Sequence, residues 1–146
     1  MIKTIKEKQF SKILVPIDGS DQSMKAADYA IEIAIKHNAQ LVVLHVIHIP
    51  PMYYPYRRTL SRFLADSRLQ IQQYFDKILA KIKDNKNIQV KIEVIDSSMP
   101  IHAVIVNYAE HKNIDLIVIG TRGRSGFAKL LLGSVASEVL KMQPVL

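Results

Sequence analysis

Three glycines and a serine near the end of the chain have the types and spacing of a phosphate-binding loop. Gly120 directly follows the apolar run 116–119, and Gly123 comes after two further residues. Nine residues then lead to Gly133 and Ser134. A buried strand, a glycine-rich loop and a helix start let backbone N–H groups approach an anion closely, and the helix adds its positive end. The spacing therefore predicts that this loop binds the phosphates of a nucleotide.

Asp18 is a second candidate binding residue, because it follows the apolar run 13–17 and opens the turn signal that Gly19 and Ser20 continue. Its carboxylate would repel a polyphosphate on direct contact, so we expect it to accept from ribose hydroxyls or to help hold a divalent cation. The alternative is a turn aspartate whose carboxylate accepts from the backbone toward Ser20.

Polar side chains around the glycine loop have two possible roles each. Arg122, Arg124 and Lys129 could neutralise phosphate charge, or they could be solvated surface charges. Ser134 could donate its hydroxyl to a phosphate, but the capping of a helix would by itself explain a serine at that position.

The sequence predicts no catalytic residues and no metal-binding side-chain cluster. It has no Gly-Lys-Ser/Thr of a P-loop, and the segment 123–126 is one residue short of a nucleophile elbow. The chain has no cysteine, and His45 and His48 lie three residues apart on a strand, which places them on opposite faces. Without a positioned base, hydrolysis of a bound nucleoside triphosphate is expected to be slow.

Composition predicts one cytoplasmic domain over residues 1–146, with 1–10 as a polar lead-in. No apolar stretch approaches the roughly 20 residues of a membrane span, and the N-terminus lacks the features of a secretory signal. The net charge of +7 comes from dispersed basic residues that aromatic side chains do not interleave. A solvated basic surface is therefore favoured over nucleic-acid binding, and no membrane partner is expected.

Apolar periodicity predicts alternating strands and helices. Strands are predicted at 13–17, 41–47, 88–94 and 114–119, with the start of a fifth at 144–146. Helices are predicted from a cap at Ser20 or Asp21 to about residue 38, over 59–84, from Pro100 to about 112, and over 134–142. The apolar side of the long second helix is predicted to contain Leu60, Leu64, Ile71, Phe75, Ile78, Leu79 and Ile82. Tyr53, Tyr54 and Tyr56, in the proline-rich segment before it, could form a lid or an ordinary connection.

This alternation predicts a single open α/β domain with parallel strands and helices on both faces. The third strand alternates apolar and polar residues, which places it at an edge, and the continuous runs of strands one, two and four place these inside the sheet. The order 3-2-1-4-5 satisfies these constraints and reverses between strands one and four. Ligands of such sheets bind beyond the carboxyl ends of the strands at this reversal, where Asp18 and Gly120 would lie.

Three segments resemble the universal stress protein family over about residues 11–146: the segment ILVPIDGS at 13–20, LHV at 44–46 and DLIVIG at 115–120. The nucleotide-binding branch of that family has glycine, two residues, glycine, nine residues, glycine, and then serine or threonine. The glycine loop of this chain matches that pattern in full.

The resemblance implies an ATP-binding protein, with Mg²⁺ expected beside the phosphates, and a five-stranded sheet of the flavodoxin-like or adenine nucleotide alpha hydrolase-like type. It implies that Pro16, Ile17 and Asp18 line the adenosine side and that Val46 presents its backbone to adenine. It also implies that the ribose and phosphates are surrounded by Ile119, Gly120, Arg122, Gly123, Gly133, Ser134 and Val135. Family members generally have stress-linked signalling or protective roles and form homodimers, usually through strand residues beyond the position of 144–146. A slow ATP hydrolase and a nucleotide-free dimeric interaction module remain alternatives.

Overall fold

The computed structural model describes residues 9–85, 87–120, 135, 138 and 139. Four parallel strands and three α-helices lie within 12–117, and residues 135, 138 and 139 are helical as well. The strands are β1 (Lys12–Pro16), β2 (Gln40–His48), β3 (Gln89–Ser97) and β4 (Leu116–Ile117). The helices are α1 (Asp21–His37), α2 (Arg57–Ile82) and α3 (Ile101–His111), and a short 3₁₀ helix covers Pro51–Tyr53.

The sheet has the order β3-β2-β1-β4, and every neighbouring pair is parallel. Within residues 9–85 and 87–120 the sheet has four strands and not the predicted five, so the order of the described strands differs from 3-2-1-4-5. The fifth strand was predicted at 144–146, which lies outside the described residues. The position of β3 at the edge of the described sheet is confirmed by the strand order, and none of its residues is fully buried.

Side-chain alternation along the strands creates a core on each face of the sheet. Ile13, Val15 and Ile17 pack with α1 and α2 on one face, whereas Leu14 packs with α3 on the other. Strand β2 divides in the same way, because Leu41 and Val43 lie on the first face and Val42, Leu44 and Val46 on the second. The two continuous apolar strands are thus buried on both sides, as their sequences predict.

Helix α1 begins as predicted and ends at a residue that suits a helix terminus. Ser20 is its N-cap, with Oγ accepting from Ser23 N at 3.2 Å. Asn38 ends the helix in the left-handed conformation, at φ 53°, which asparagine adopts more readily than most residues.

Two details of the other helices correct the predictions. Pro100 is the N-cap of α3 and not its first helical residue, and its carbonyl accepts from the N–H groups of the first turn. Leu79 of α2 is 39% exposed, so its placement on the apolar side was wrong. The buried stripe of α2 is formed by Ile71, Phe75, Ile78 and Ile82, and Leu79 lies about 100° around the helix from Ile78.

Candidate functional site

The turn between β1 and α1 is held by hydrogen bonds among its own residues. Asp18 Oδ1 accepts from Ser20 N at 2.8 Å, and Asp18 N donates to Ser23 Oγ at 3.3 Å. The Ser23 hydroxyl in turn donates to Ser20 O at 3.0 Å. The contact expected of a turn aspartate is therefore present at Oδ1, and a role of the carboxylate toward ribose or a cation stays a prediction.

Gly19 is required by this turn for two reasons. Its φ of +82° is in the region that residues with a side chain rarely adopt. A Cβ at this position would also overlap with the ring of Tyr74, a residue of α2. Helix α2 thus packs directly against the backbone that carries Asp18, a contact that the sequence pattern does not predict.

Gly120, at the carboxyl side of β4, lies against the first turn of α1. A Cβ on Gly120 would be 3.0 Å from the carbonyl carbon of Gln22 and 3.1 Å from Ser23 N. The missing side chain therefore allows the chain after β4 to approach the start of α1 closely. The predicted alternatives were close approach to a ligand or a tight turn, and the structure adds helix–sheet packing as a third reason for a glycine.

Strand β2 extends beyond the end of β1, so the last residues of β2 do not pair with β1. The pairing of the two strands ends at Pro16 and Leu44, whereas β2 continues to His48. Gln40 N donates to Ser11 O and Ile17 N donates to Leu44 O, so the even-numbered residues of β2 direct their backbone groups toward β1. The N–H and C=O of Val46, the next even residue, thus point to the space beyond β1.

The side chains predicted to line the site are divided between the two faces of the sheet. Val46, Ile119 and Val135 belong to the α3 side, where Val46 is 7% exposed. Ile17 is 4% exposed and belongs to the α1 and α2 side, so that a ligand on the α3 side could meet only its backbone. Pro16, at the end of β1, is partly buried. The predicted residues Arg122, Gly123, Gly133 and Ser134 lie outside the described residues.

Both strand histidines contact backbone carbonyls. His45 Nδ1 lies 2.7 Å from Ile17 O, and the exposed His48 has its Nδ1 3.1 Å from Met99 O. A carbonyl can only accept, so each Nδ1 carries the proton and donates. Within the part of the chain that the structure describes, no three His, Cys, Asp or Glu side chains are grouped so that they could hold a metal ion.

A separate polar group links α3 to the edge strand β3. Lys91 Nζ and Glu93 Oε1 are 2.9 Å apart, and the hydrogen bond to this carboxylate raises the pKa of Lys91. Burial raises the pKa of the Tyr108 hydroxyl, and the negative charge of nearby Glu93 raises it further. Tyr108 is thereby kept neutral in the folded state to a higher pH than in a free peptide.

These features define an open parallel α/β protein whose strand order reverses between β1 and β4, with Asp18 and Gly120 at the reversal. The profile of the universal stress protein family matches residues 9–145. The chain therefore belongs to the universal stress protein family.

A curated relative supports this membership, and two solved structures show a similar fold. The chain is 33% identical to universal stress protein MJ0531 of Methanocaldococcus jannaschii over 92% of its own length and 78% of that protein. Its fold is similar to that of universal stress protein UspA from Lactobacillus plantarum, with a TM-score of 0.79, 27% identity, and coverage of 94% of this chain and 95% of that one. A universal stress protein solved in complex with cAMP is 24% identical, with a TM-score of 0.59 and 94% of each chain covered.

Sequence reasoning missed three residues that shape the site: Tyr74, Ser23 and His45. Tyr74 gives no local signal, because its contact with Gly19 depends on how α2 packs. Ser23 and His45 offered a signal, since a serine three residues after an N-cap and a histidine near the end of a predicted strand can both lie within reach of a turn backbone.

None of the described helices combines the length and the apolar character that crossing a bilayer requires.

Proposed function

We propose that this protein is a nucleotide-binding universal stress protein that holds ATP beyond the carboxyl ends of β1 and β4. The base would lie against the backbone of Val46, and the phosphates would be bound by the main-chain amides of the loop that begins at Gly120. The observation that carries this proposal is the complete glycine and serine pattern, which follows a strand at the reversal of strand order.

The geometry of the described residues supports this proposal at the adenosine end. The backbone of Val46 points past the end of β1, and Asp18 lies two residues beyond the last β1 residue that pairs with β2. Of the relatives named above, the one solved with cAMP holds an adenine nucleotide in a protein of this fold.

Asp18, beyond the end of β1, is compatible with a Mg²⁺ ion that binds together with the nucleotide. Mg²⁺ at phosphate sites is held mainly by phosphates, waters and one or two carboxylates. Asp18 is the carboxylate at this end of β1, and a dedicated cluster of side-chain ligands is absent from the described residues. The ion would neutralise part of the phosphate charge, and Asp18 would help to position it.

The proposed cellular role is signalling or protection under stress. The protein would act as a cytoplasmic homodimer, and other proteins would distinguish its nucleotide-bound form from its nucleotide-free form. Two alternatives remain, and each has a distinct result. Turnover of ATP that is well above the buffer rate and is lost in Asp18→Asn would indicate a slow hydrolase. A dimer that binds no nucleotide would indicate an interaction module.

A pair of glycine variants tests the proposed site by isothermal titration with ATP and Mg²⁺. Gly123→Val should abolish binding, because its side chain would block the approach of phosphates to the loop amides. Gly126→Val is the matched control, since Gly126 lies in the same predicted loop segment but outside the motif. Circular dichroism verifies that both variants fold. Equal ATP affinity in Gly123→Val and the wild type would show that the loop does not bind the phosphates.

A further inference from the structure

The hydrogen-bond ladder between β1 and β2 stops one bond short of Ile17 O, the next backbone acceptor after the end of β1. Its last bond runs from Ile17 N to Leu44 O, at 2.8 Å. In a parallel ladder the next bond would run from Val46 N to Ile17 O. That bond would extend the register to Ile17 and His45, yet the pairing ends at Pro16 and Leu44.

The carbonyl of Ile17 has a different donor. His45 Nδ1 lies 2.7 Å from Ile17 O, a short and well-formed hydrogen bond. Ile17 is almost completely buried, so its carbonyl needs a partner inside the protein. The side chain of His45 supplies this partner in place of the backbone N–H of the following residue.

We propose that His45 is a positioning residue for the nucleotide base, because it takes the Ile17 carbonyl and thereby leaves the Val46 N–H available to the ligand. This inference rests on the proposed function for the identity of the ligand, but its structural part does not. His45 lies at an odd position of β2, on the face of α1 and α2, whereas Val46 lies on the face of α3. His45 thus acts through the backbone and not by touching the base.

Two variants separate the donor from the rest of the side chain. His45→Asn keeps an N–H donor, because Nδ2 of asparagine is bonded to Cγ as Nδ1 of histidine is. His45→Leu places a methyl group at the position of Nδ1 and so removes the hydrogen-bond donor. His48→Leu is the control, since His48 is on the same strand and also contacts a carbonyl, that of Met99.

Amide hydrogen exchange tests the structural part without any ligand. In the wild type, the Val46 N–H should exchange much faster than the Leu44 N–H, which lies inside the ladder. In His45→Leu, the unpaired Ile17 carbonyl should recruit Val46, and the Val46 amide should become at least about tenfold more protected. Equal protection of Val46 and Leu44 in the wild type would overturn the inference even if the variant failed to fold.

Titration with ATP and Mg²⁺ tests the ligand part. His45→Leu should bind ATP about tenfold more weakly, the effect of one lost hydrogen bond, whereas His45→Asn and His48→Leu should stay within about twofold of the wild type. Inorganic tripolyphosphate has no base, so its affinity should be the same in all four proteins. A folded His45→Leu that binds ATP like the wild type would contradict the inference. Failure of the wild type to bind ATP would instead contradict the proposed function and leave the exchange result to decide the role of His45.

Discussion

Replacing Gly19 with alanine should destabilise the protein through two effects that can be measured separately. The φ of +82° costs a residue with a Cβ about 1 to 2 kcal/mol. The new methyl group would also overlap Cε2 and Cζ of Tyr74, and overpacking of this kind costs about 1 to 3 kcal/mol. The sum is a loss of about 2 to 5 kcal/mol in the free energy of unfolding.

A double-mutant cycle with Tyr74→Ala separates the two effects. When the ring is absent, Gly19→Ala should cost only the backbone part, about 1 to 2 kcal/mol. Tyr74→Phe is the control, because it keeps both overlapping ring carbons and should leave the full cost in place. Urea denaturation of the six proteins gives the required free energies. An equal cost of Gly19→Ala with and without the ring would refute the close packing of α2 on this turn.

Substitutions at three further positions give independent predictions. Gly120→Ala should cost about 1 to 2 kcal/mol of stability in urea denaturation, since its Cβ would press on the backbone of Gln22; an unchanged or increased stability would contradict the contact. Ser20→Ala should cost about 1 kcal/mol through loss of the N-cap of α1, and Ser20→Asp, which keeps a cap acceptor, should restore most of it. The raised pKa of Tyr108 means that its contribution to stability is fully present below about pH 10 and is lost as the pH rises through the higher folded-state value. Tyr108→Phe should therefore lose less stability than the wild type between neutral and strongly alkaline pH, as followed by urea denaturation at each pH, and equal losses would exclude this role.

The sequence predicts those parts of the fold that depend on local patterns. Two continuous apolar runs indicate the buried strands β1 and β2, and the alternation in β3 indicates an edge. Ser20 before a run of small apolar residues indicates the start of α1. These features agree with the structure because each of them is set by burial or by capping within a few residues.

Contacts between distant elements have no such local signal. The packing of Tyr74 on Gly19 depends on where α2 crosses the sheet, and the bond from His45 to Ile17 depends on the register of two strands. The exposure of Leu79 has the same origin, because the rotation of a long helix is set by its packing and not by its composition. For the site, the sequence identified the strand ends and the glycine pattern, but not the side chains that orient the backbone there.

Native mass spectrometry of the chain with millimolar ATP and Mg²⁺ is the sharpest test of nucleotide binding, because it counts the ligands on each subunit. Every wild-type subunit, whether free or in a dimer, should gain the mass of one ATP, and the Gly123→Val protein should gain none. Wild-type subunits that keep their unliganded mass under these conditions would contradict the proposed nucleotide binding.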